Sequence, residues 1–379
     1  MDTRKRVFVF SCVHKWDDVR VFHKQAMSLS RFYDVQLHAI ADFEYKRVNG
    51  VDVYGLPNYG KRYKRPLLWW ELLKRAVKAH ADIYHFHDPE LIPTGLLITW
   101  ITHKPVIYDI HEDYPKAILT KSWIPKFIRK PIAAFFDWFQ KLCVKGFAQV
   151  IVVTEELQRS FRSDRVTLVQ NFPLLAMRDD VEKLIEQRRQ HGEHVKLVYA
   201  GGLTEIRGIY EMVKAFDYIP KDMNVNLILA GSFNDKGYEQ KVLDYIKTEN
   251  RISFIGQVSY NDAYQLMCDS DIGLICFKPV AHNTHSLSNK MFEYMSVGIP
   301  VIASDFELWK DIIEGNNCGI MVDPLDSRQI ADAIVYLTKN PDKRAEMGIN
   351  GYKAYMNKYN WGAEERKLLD AYERLLKNR

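Results

Sequence analysis

Short apolar runs rich in β-branched residues alternate along this chain with longer segments of helical periodicity. RVFVFS is followed by a helical pattern near Phe22 to Arg31, then DVQLHAI, a helix near Leu67 to Ala79, DIYHF, a helix near Leu91 to Thr102, and KPVIYDI. Strands spaced by helix-length segments predict right-handed βαβ crossovers and a parallel sheet. QVIVVT and RVTLVQ continue the series, which loses its strand rhythm between Asn171 and His194. The polar, helix-prone stretch DDVEKLIEQRRQHGEH reads as a domain junction. A second series opens with VKLVYAGG and runs through NLILAGS, RISFIG, DIGLIC, IPVIASD and CGIMVD. The expectation is two α/β domains, residues 1–171 and 172–360, and a final amphipathic helix over 361–379. That helix carries Leu368, Leu369, Tyr372, Leu375 and Leu376 at helical spacing.

Composition narrows the class. A chain of 379 residues with 47% hydrophobic and 27% charged positions has the balance of a folded protein with two cores. The greasy segment from Leu91 to Trp100 falls short of the roughly 18 apolar residues of a membrane span. MDTRKRVFVFSC has too short an apolar run, and no small-residue cleavage site, to read as a secretion signal; it reads as a first strand. Cys12, Cys143, Cys268, Cys276 and Cys318 are scattered without CxxC spacing, as reduced core thiols of a cytoplasmic protein would be. A net charge of +5 is too mild to imply a nucleic-acid partner.

In doubly wound sheets ligands collect at the carboxyl ends of strands. There the second series offers Ala200-Gly201-Gly202, then Thr204, Glu205, Arg207 and Gly208. Paired glycines let a backbone approach a diphosphate and Arg207 can neutralise it; the plainer reading is a glycine turn beside a surface arginine. HNTHSLSNKMFEYMSVGIPVIASD, from His282 to Asp305, joins a helix start near Ser286 or Ser288 to a following strand. Lys290 and Glu293, three apart, share a face of that helix, where a lysine can meet a diphosphate and a carboxylate can accept from two ribose hydroxyls.

These motifs resemble the family 4 retaining glycosyltransferases, over nearly the whole chain and most densely from Tyr199 to Asp305. The resemblance implies the GT-B fold: two Rossmann-like α/β domains facing across a cleft, the C-terminal helix crossing back to the first. It implies that Glu293 holds the ribose, as the second of a glutamate pair whose first member falls here on His285. It also implies that backbone amides near Leu287 and Ser288 meet the sugar or phosphate. Many relatives carry an arginine after the first glycine, where this chain has Gly202; Arg207 then becomes the main phosphate cation, assisted by Lys290. The departure at His285 leaves the donor sugar open.

The first series presents HFHDPE, His85 to Glu90, and YDIHEDYP, Tyr108 to Pro115, at strand ends. By resemblance His111 lies beside the transferred sugar and the β-phosphate, where a neutral imidazole can hydrogen-bond either one. Asp88 is the candidate acceptor-side carboxylate, unless it and His87 only shape their loop. His85, His87, Asp88 and His111 also form a metal-like pattern, but the resemblance implies metal-independent transfer with no cofactor besides the donor. His14, Asp17, Asp18 and Arg20 are weaker acceptor-site candidates.

Basic and aromatic residues mix in Lys61 to Trp70 and in Lys121 to Phe147, a composition suited to an anionic membrane surface. Lys126, Arg129 and Lys130 are the candidate lipid-facing cations, and the competing reading packs Phe135, Phe136 and Phe139 into the core. The composite expectation is a cytoplasmic hexosyltransferase, peripheral on the inner face of the membrane. It would move a sugar from a UDP-sugar to a saccharide or lipid-linked saccharide in surface polysaccharide or glycolipid synthesis. The rivals are a sugar-nucleotide epimerase of the same architecture, and a noncatalytic sugar-nucleotide-binding subunit.

Overall fold

The computed structural model describes residues 4–60, 62–121, 124–161, 163–174, 180–190 and 194–377, without the side chains of Arg62, Thr120, Ala281 and His282. Lys61, Ser122, Trp123, part of the expected junction (residues 175–179 and 191–193), and Asn378 and Arg379 lie outside the described residues. The chain divides into two compact units, Met1–Asn171 with Trp361–Arg379, and Phe172–Asn360.

The first unit holds β1 Arg6–Lys15, β2 Asp34–Ile40, β3 Tyr45–Val48, β4 Val51–Leu56, β5 Ile83–Phe86, β6 Val106–Ile110, β7 Gln149–Val152 and β8 Val166–Leu168. They form one sheet in the order β3-β4-β2-β1-β5-β6-β7-β8. Its central strands are covered on both faces, which is why Val7 to Phe10 form an unbroken apolar run with no exposure. All neighbours are parallel except β3 and β4, a hairpin that the strand-and-helix pattern does not predict. Its turn is Asn49-Gly50, both at positive φ (48° and 83°), as a tight hairpin turn requires.

The helical segment after β1 begins at Val19, three residues before the apolar pattern suggests. Asp18 sets that start: its carboxylate accepts from the backbone N–H groups of Arg20 and Val21, each at 2.9 Å. The final helix, Trp361–Lys377, packs within this unit. Trp361 Nε1 donates to Ser28 Oγ (2.9 Å), and Glu364 accepts from the backbone of Gln170 (2.8 Å).

The second unit is a parallel six-stranded sheet, β9 Val195–Ala200, β10 Val225–Ala230, β11 Ile252–Phe254, β12 Ile272–Ile275, β13 Val301–Ser304 and β14 Gly319–Val322, in the order β11-β10-β9-β12-β13-β14. Polar composition makes residues 179–194 look like a linker, yet Val181–Gln190 is a helix of this unit with Val181 and Ile185 buried. Buried Arg188 donates to the carbonyls of Val297 (2.8 Å), Gly298 (3.3 Å) and Cys268 (2.6 Å). Those carbonyls lie past helix ends and need partners once buried, so a residue that reads as solvent-facing is fixed in the core.

All five cysteines are buried and none forms a disulfide. Among the described residues no helix is long and apolar enough to cross a membrane.

Candidate functional site

In the second unit the backbone at the end of β9 is shaped by close approach. Gly201 N–H donates to Ala230 O at 2.8 Å, and a methyl at Gly231 (φ 145°) would overlap the Gly201 carbonyl. Gly201 itself has φ 152°, and a methyl there would lie 2.5 Å from Lys290 Nζ. Two glycines thus let two strand ends meet, and the first lets a lysine cross over it. Gly202 is exposed, with open space where a side chain would extend.

Tyr199 ties this corner together. Its buried hydroxyl donates to Gly202 O (3.0 Å) and accepts from Arg207 Nη1 (3.4 Å), while Lys290 Nζ stands 5.7 Å from its ring centroid. Arg207 also lies 5.4 Å from the Phe277 ring and has no carboxylate within ion-pair distance among the described residues. Gly208 (φ 66°) backs onto the Cys276 carbonyl, where a Cβ would clash, so the turn that aims Arg207 is pinned to the end of β12.

Lys290 and Glu293 lie on the helix Asn289–Ser296, with Nζ to Oε2 at 4.0 Å. Burial pushes the Lys290 ammonium below the usual lysine range, Glu293 partly offsets this, and Arg207 adds to it. Ser288 is the residue preceding the helix, and its hydroxyl makes no capping bond. Leu287 packs against the core, and Trp309 Nε1 holds the Ser286 carbonyl at 2.8 Å. His285 is exposed, its Nδ1 3.0 Å from Thr284 Oγ1. The structure therefore gathers Gly201, Gly202, Arg207 and Lys290 around Tyr199, with Glu293 beside Lys290. Sequence reasoning missed Tyr199 and Gly231; the repeated strand-then-glycine pattern of VYAGG and ILAGS was the available signal.

The first unit buries an unusual density of histidine and aspartate at the ends of β1, β5 and β6. Asp109, fully buried, receives Arg20 through Nη2 (2.9 Å) and Nε (3.2 Å) and Gln25 Nε2 at 2.5 Å. Burial alone would raise its pKa, but the Arg20 charge and the neighbouring His111 and His87 hold it well below the carboxylate range. His85 and His87 are fully buried; His85 Nδ1 meets Tyr372 Oη at 2.7 Å and His87 Nδ1 lies 3.4 Å from Asp109. Tyr372 thus gives the final helix a direct hold on the cluster.

Asp88 is also buried, and its Oδ2 accepts from Ser11 Oγ (2.8 Å), Cys12 N (2.6 Å) and Val13 N (3.2 Å). Asp88 thereby clamps the last part of β1, where pairing with β2 is interrupted between Phe10 and Lys15, and its Oδ1 lies 3.6 Å from His14 Nε2. His14 bridges the partly exposed edge: Nδ1 lies 3.1 Å from Asp18, and Nε2 lies 3.2 Å from His111 Nε2. Among the weaker candidates His14 thus joins His111, Arg20 is a buried scaffold residue, Asp18 is half-buried, and Asp17 is exposed. The metal-like set read from sequence is divided into His14, Asp88 and His111, and His85, His87 and Asp109, the ligand atoms of each lying within 4.8 Å.

On the same unit, the helix Lys126–Cys143 is apolar on two faces. Ala133, Phe136, Phe139 and Cys143 turn toward the sheet. At about 100° per residue, Phe127, Phe135, Trp138 and Leu142 fall within one narrow arc on the other side. All four are exposed. Neighbouring helices add exposed Leu67 and Trp70, and Leu97, Trp100 and Ile101. Of the three phenylalanines that the competing reading packs into the core, Phe136 and Phe139 are inside and Phe135 is outside. Arg129 departs from expectation: it donates to Ile124 O (2.7 Å) and Leu119 O (3.3 Å), so it fixes the preceding loop, whereas Lys126 and Lys130 are exposed.

Residues 18–172 match the model for Glycosyltransferase Family 4, and residues 180–354 match the model for Glycosyl transferases group 1. The capsular polysaccharide biosynthesis glycosyltransferase CapM of Staphylococcus aureus is 20% identical over 88% of this chain and 93% of its own. Sucrose-phosphate synthase from Thermosynechococcus elongatus superposes with a TM-score of 0.75 at 16% identity, covering 99% of this chain and 100% of that one. HepE of Anabaena, solved in complex with UDP, superposes with a TM-score of 0.69 at 15% identity, covering 98% and 100%. With two parallel-sheet units, each matched by its own family model, the chain has the GT-B fold and belongs to the family 4 glycosyltransferases.

Proposed function

We propose that this glycosyltransferase takes a hexose from a UDP-sugar and passes it, with retention, to a saccharide or lipid-linked saccharide acceptor of surface polysaccharide or glycolipid synthesis. The observation that carries this reading is the corner where Lys290 crosses Gly201 and Arg207 leans on Tyr199. Two cations without close carboxylate bonds stand over a bare glycine backbone at the start of a helix, an arrangement that suits a diphosphate. Glu293 would accept from the ribose hydroxyls. The likeness to CapM and to UDP-bound HepE supports the choice of donor and acceptor class.

With Arg207 and Lys290 neutralising the diphosphate, we assign no metal to the transfer step, and EDTA is expected to leave turnover intact. His111 would hydrogen-bond the reacting sugar or the departing phosphate. The acceptor oxygen bonds to the anomeric carbon as its bond to the β-phosphate breaks, and the acceptor proton passes to the departing phosphate on the same face. Asp88, held by three hydrogen bonds, is ill suited to serve as a covalent nucleophile. The exposed aromatic stripe with Lys126 and Lys130 supports residence on an anionic membrane surface, where a lipid-linked acceptor would be found.

The experiment is a panel of nucleotide sugars, followed by release of nucleotide and fate of the sugar, with and without saccharide acceptors. Donor-specific nucleotide release with sugar on an acceptor or on water supports transfer. An isomerised sugar from donor alone indicates an epimerase, and binding without turnover indicates a noncatalytic subunit.

A further inference from the structure

The two imidazoles at the edge of the first unit face each other through their Nε2 atoms at 3.2 Å. A carboxylate only accepts, so His14 Nδ1 must carry the hydrogen shared with Asp18 at 3.1 Å. Its Nε2 is then a lone pair when the ring is neutral. His111 faces it with Nε2, while its Nδ1 stands 3.7 Å from Asp109 Oδ1, beyond hydrogen-bond reach. Either a hydrogen on His111 Nε2 donated to His14 or a cation must therefore lie between the two nitrogens.

A single proton would satisfy two nitrogens and needs no third group. A third group is present: Asp88 Oδ1, the oxygen not engaged by β1, lies 3.6 Å from His14 Nε2, and His14, Asp88 and His111 can each offer a ligand atom within 4.8 Å of the others. For ligands about 2.0–2.1 Å from a tetrahedral zinc ion, the ligand-to-ligand edge is about 3.3 Å, so separations of 3.2 and 3.6 Å fit a common centre. His14 holds its far nitrogen on Asp18 at 3.1 Å, the outer-shell arrangement of a metal-bound histidine, while the far nitrogen of His111 stands 3.7 Å from Asp109. Asp18, Asp88 and Asp109 are opposed at this point by one guanidinium, Arg20. His14 and His111 retain some exposure, which leaves an open coordination position. The companion set of His85, His87 and Asp109 lacks these features, since Arg20 and Gln25 already occupy Asp109 and Tyr372 occupies His85.

The geometry points to a zinc-class divalent cation site formed by His14 Nε2, His111 Nε2 and Asp88 Oδ1. The site lies wholly within the first unit, and the cation supplies no step of the transfer. Where the proposed role of His111 holds, a bound cation would take the nitrogen that meets the sugar, so the metal inhibits; this consequence, unlike the binding itself, rests on that role.

The test uses the full chain, stripped with chelator and titrated with Zn²⁺ against a chromophoric competitor, with Co²⁺ absorption as a check on tetrahedral geometry. One equivalent at micromolar affinity is expected, weakened roughly 10- to 100-fold by Asp18→Asn and at least as much by His14→Gln. Circular dichroism verifies folding of both variants. No uptake by the wild type at tens of micromolar would leave a shared proton as the occupant and overturn the site. So would equal affinity in His14→Gln, which would put the metal elsewhere. Tight binding without loss of sugar transfer would keep the metal site and instead overturn the role of His111 in transfer.

Discussion

Lys290 lies across Gly201 so closely that a single added methyl would come within 2.5 Å of its ammonium nitrogen. The glycine does not merely permit a turn; its missing side chain is the space the lysine occupies. Gly201→Ala is therefore expected to fold less stably, because φ 152° is strained for alanine, and to displace Lys290. UDP affinity should fall by about 10-fold or more, the loss of one charge-assisted contact. Calorimetric titration alongside thermal melting separates the two effects; unchanged affinity in the folded variant would remove Lys290 from the phosphate site.

Gly202 is the opposite case. It borders open space, so Gly202→Arg should fold normally and place another cation at the same corner. UDP binding should tighten several-fold and become more sensitive to salt. Weaker binding at low salt would show that the diphosphate does not approach this backbone.

Burial holds Lys290 below the ordinary lysine pKa, and an arriving diphosphate would raise it again. The protonated lysine is the form the ligand prefers. Affinity should therefore be greatest below the pKa of the free protein and decline as pH rises through it, toward the higher pKa of the complex. Proton uptake on binding, read from the buffer dependence of the calorimetric heat, should accompany the decline. Lys290→Met should bind more weakly and lose this lysine-linked pH dependence.

The parallel strands, the crossover helices and the gathering of Gly201, Gly202, Arg207 and Lys290 at strand ends were legible because strands buried on both faces read as apolar runs and loops converge where those runs end. Asn49-Gly50 was legible too, but the flanking YKRV is too polar to stand out as a strand. What could not be read was partnership. Arg188 and Arg129 look like surface charge, yet both satisfy backbone carbonyls. Asp88 looks like a free carboxylate until Ser11 to Val13 of β1 are seen to close on it. Such pairings join positions far apart in the chain, or turn on where a loop folds, and leave no periodic trace.

The aromatic stripe gives a prediction independent of the nucleotide. Phe135→Ser with Trp138→Ser should leave the fold intact, since both side chains are exposed, and should abolish sedimentation with anionic vesicles. Lys126→Glu with Lys130→Glu should weaken binding most at low salt. Arg129 is not part of this test, because its replacement would release the Leu119 and Ile124 carbonyls. Full vesicle binding by the aromatic double variant would exclude this helix as the membrane face.

If the second unit holds a nucleoside diphosphate through Glu293, Lys290 and Arg207, the affinity of the full chain for UDP must respond to Glu293→Ala. A carboxylate accepting two ribose hydroxyls is worth roughly 1.5–3 kcal/mol for each charged hydrogen bond. Calorimetric titration should therefore show binding by the wild type and a loss of at least about 10-fold in the folded variant. Equal affinity in the two proteins would contradict it.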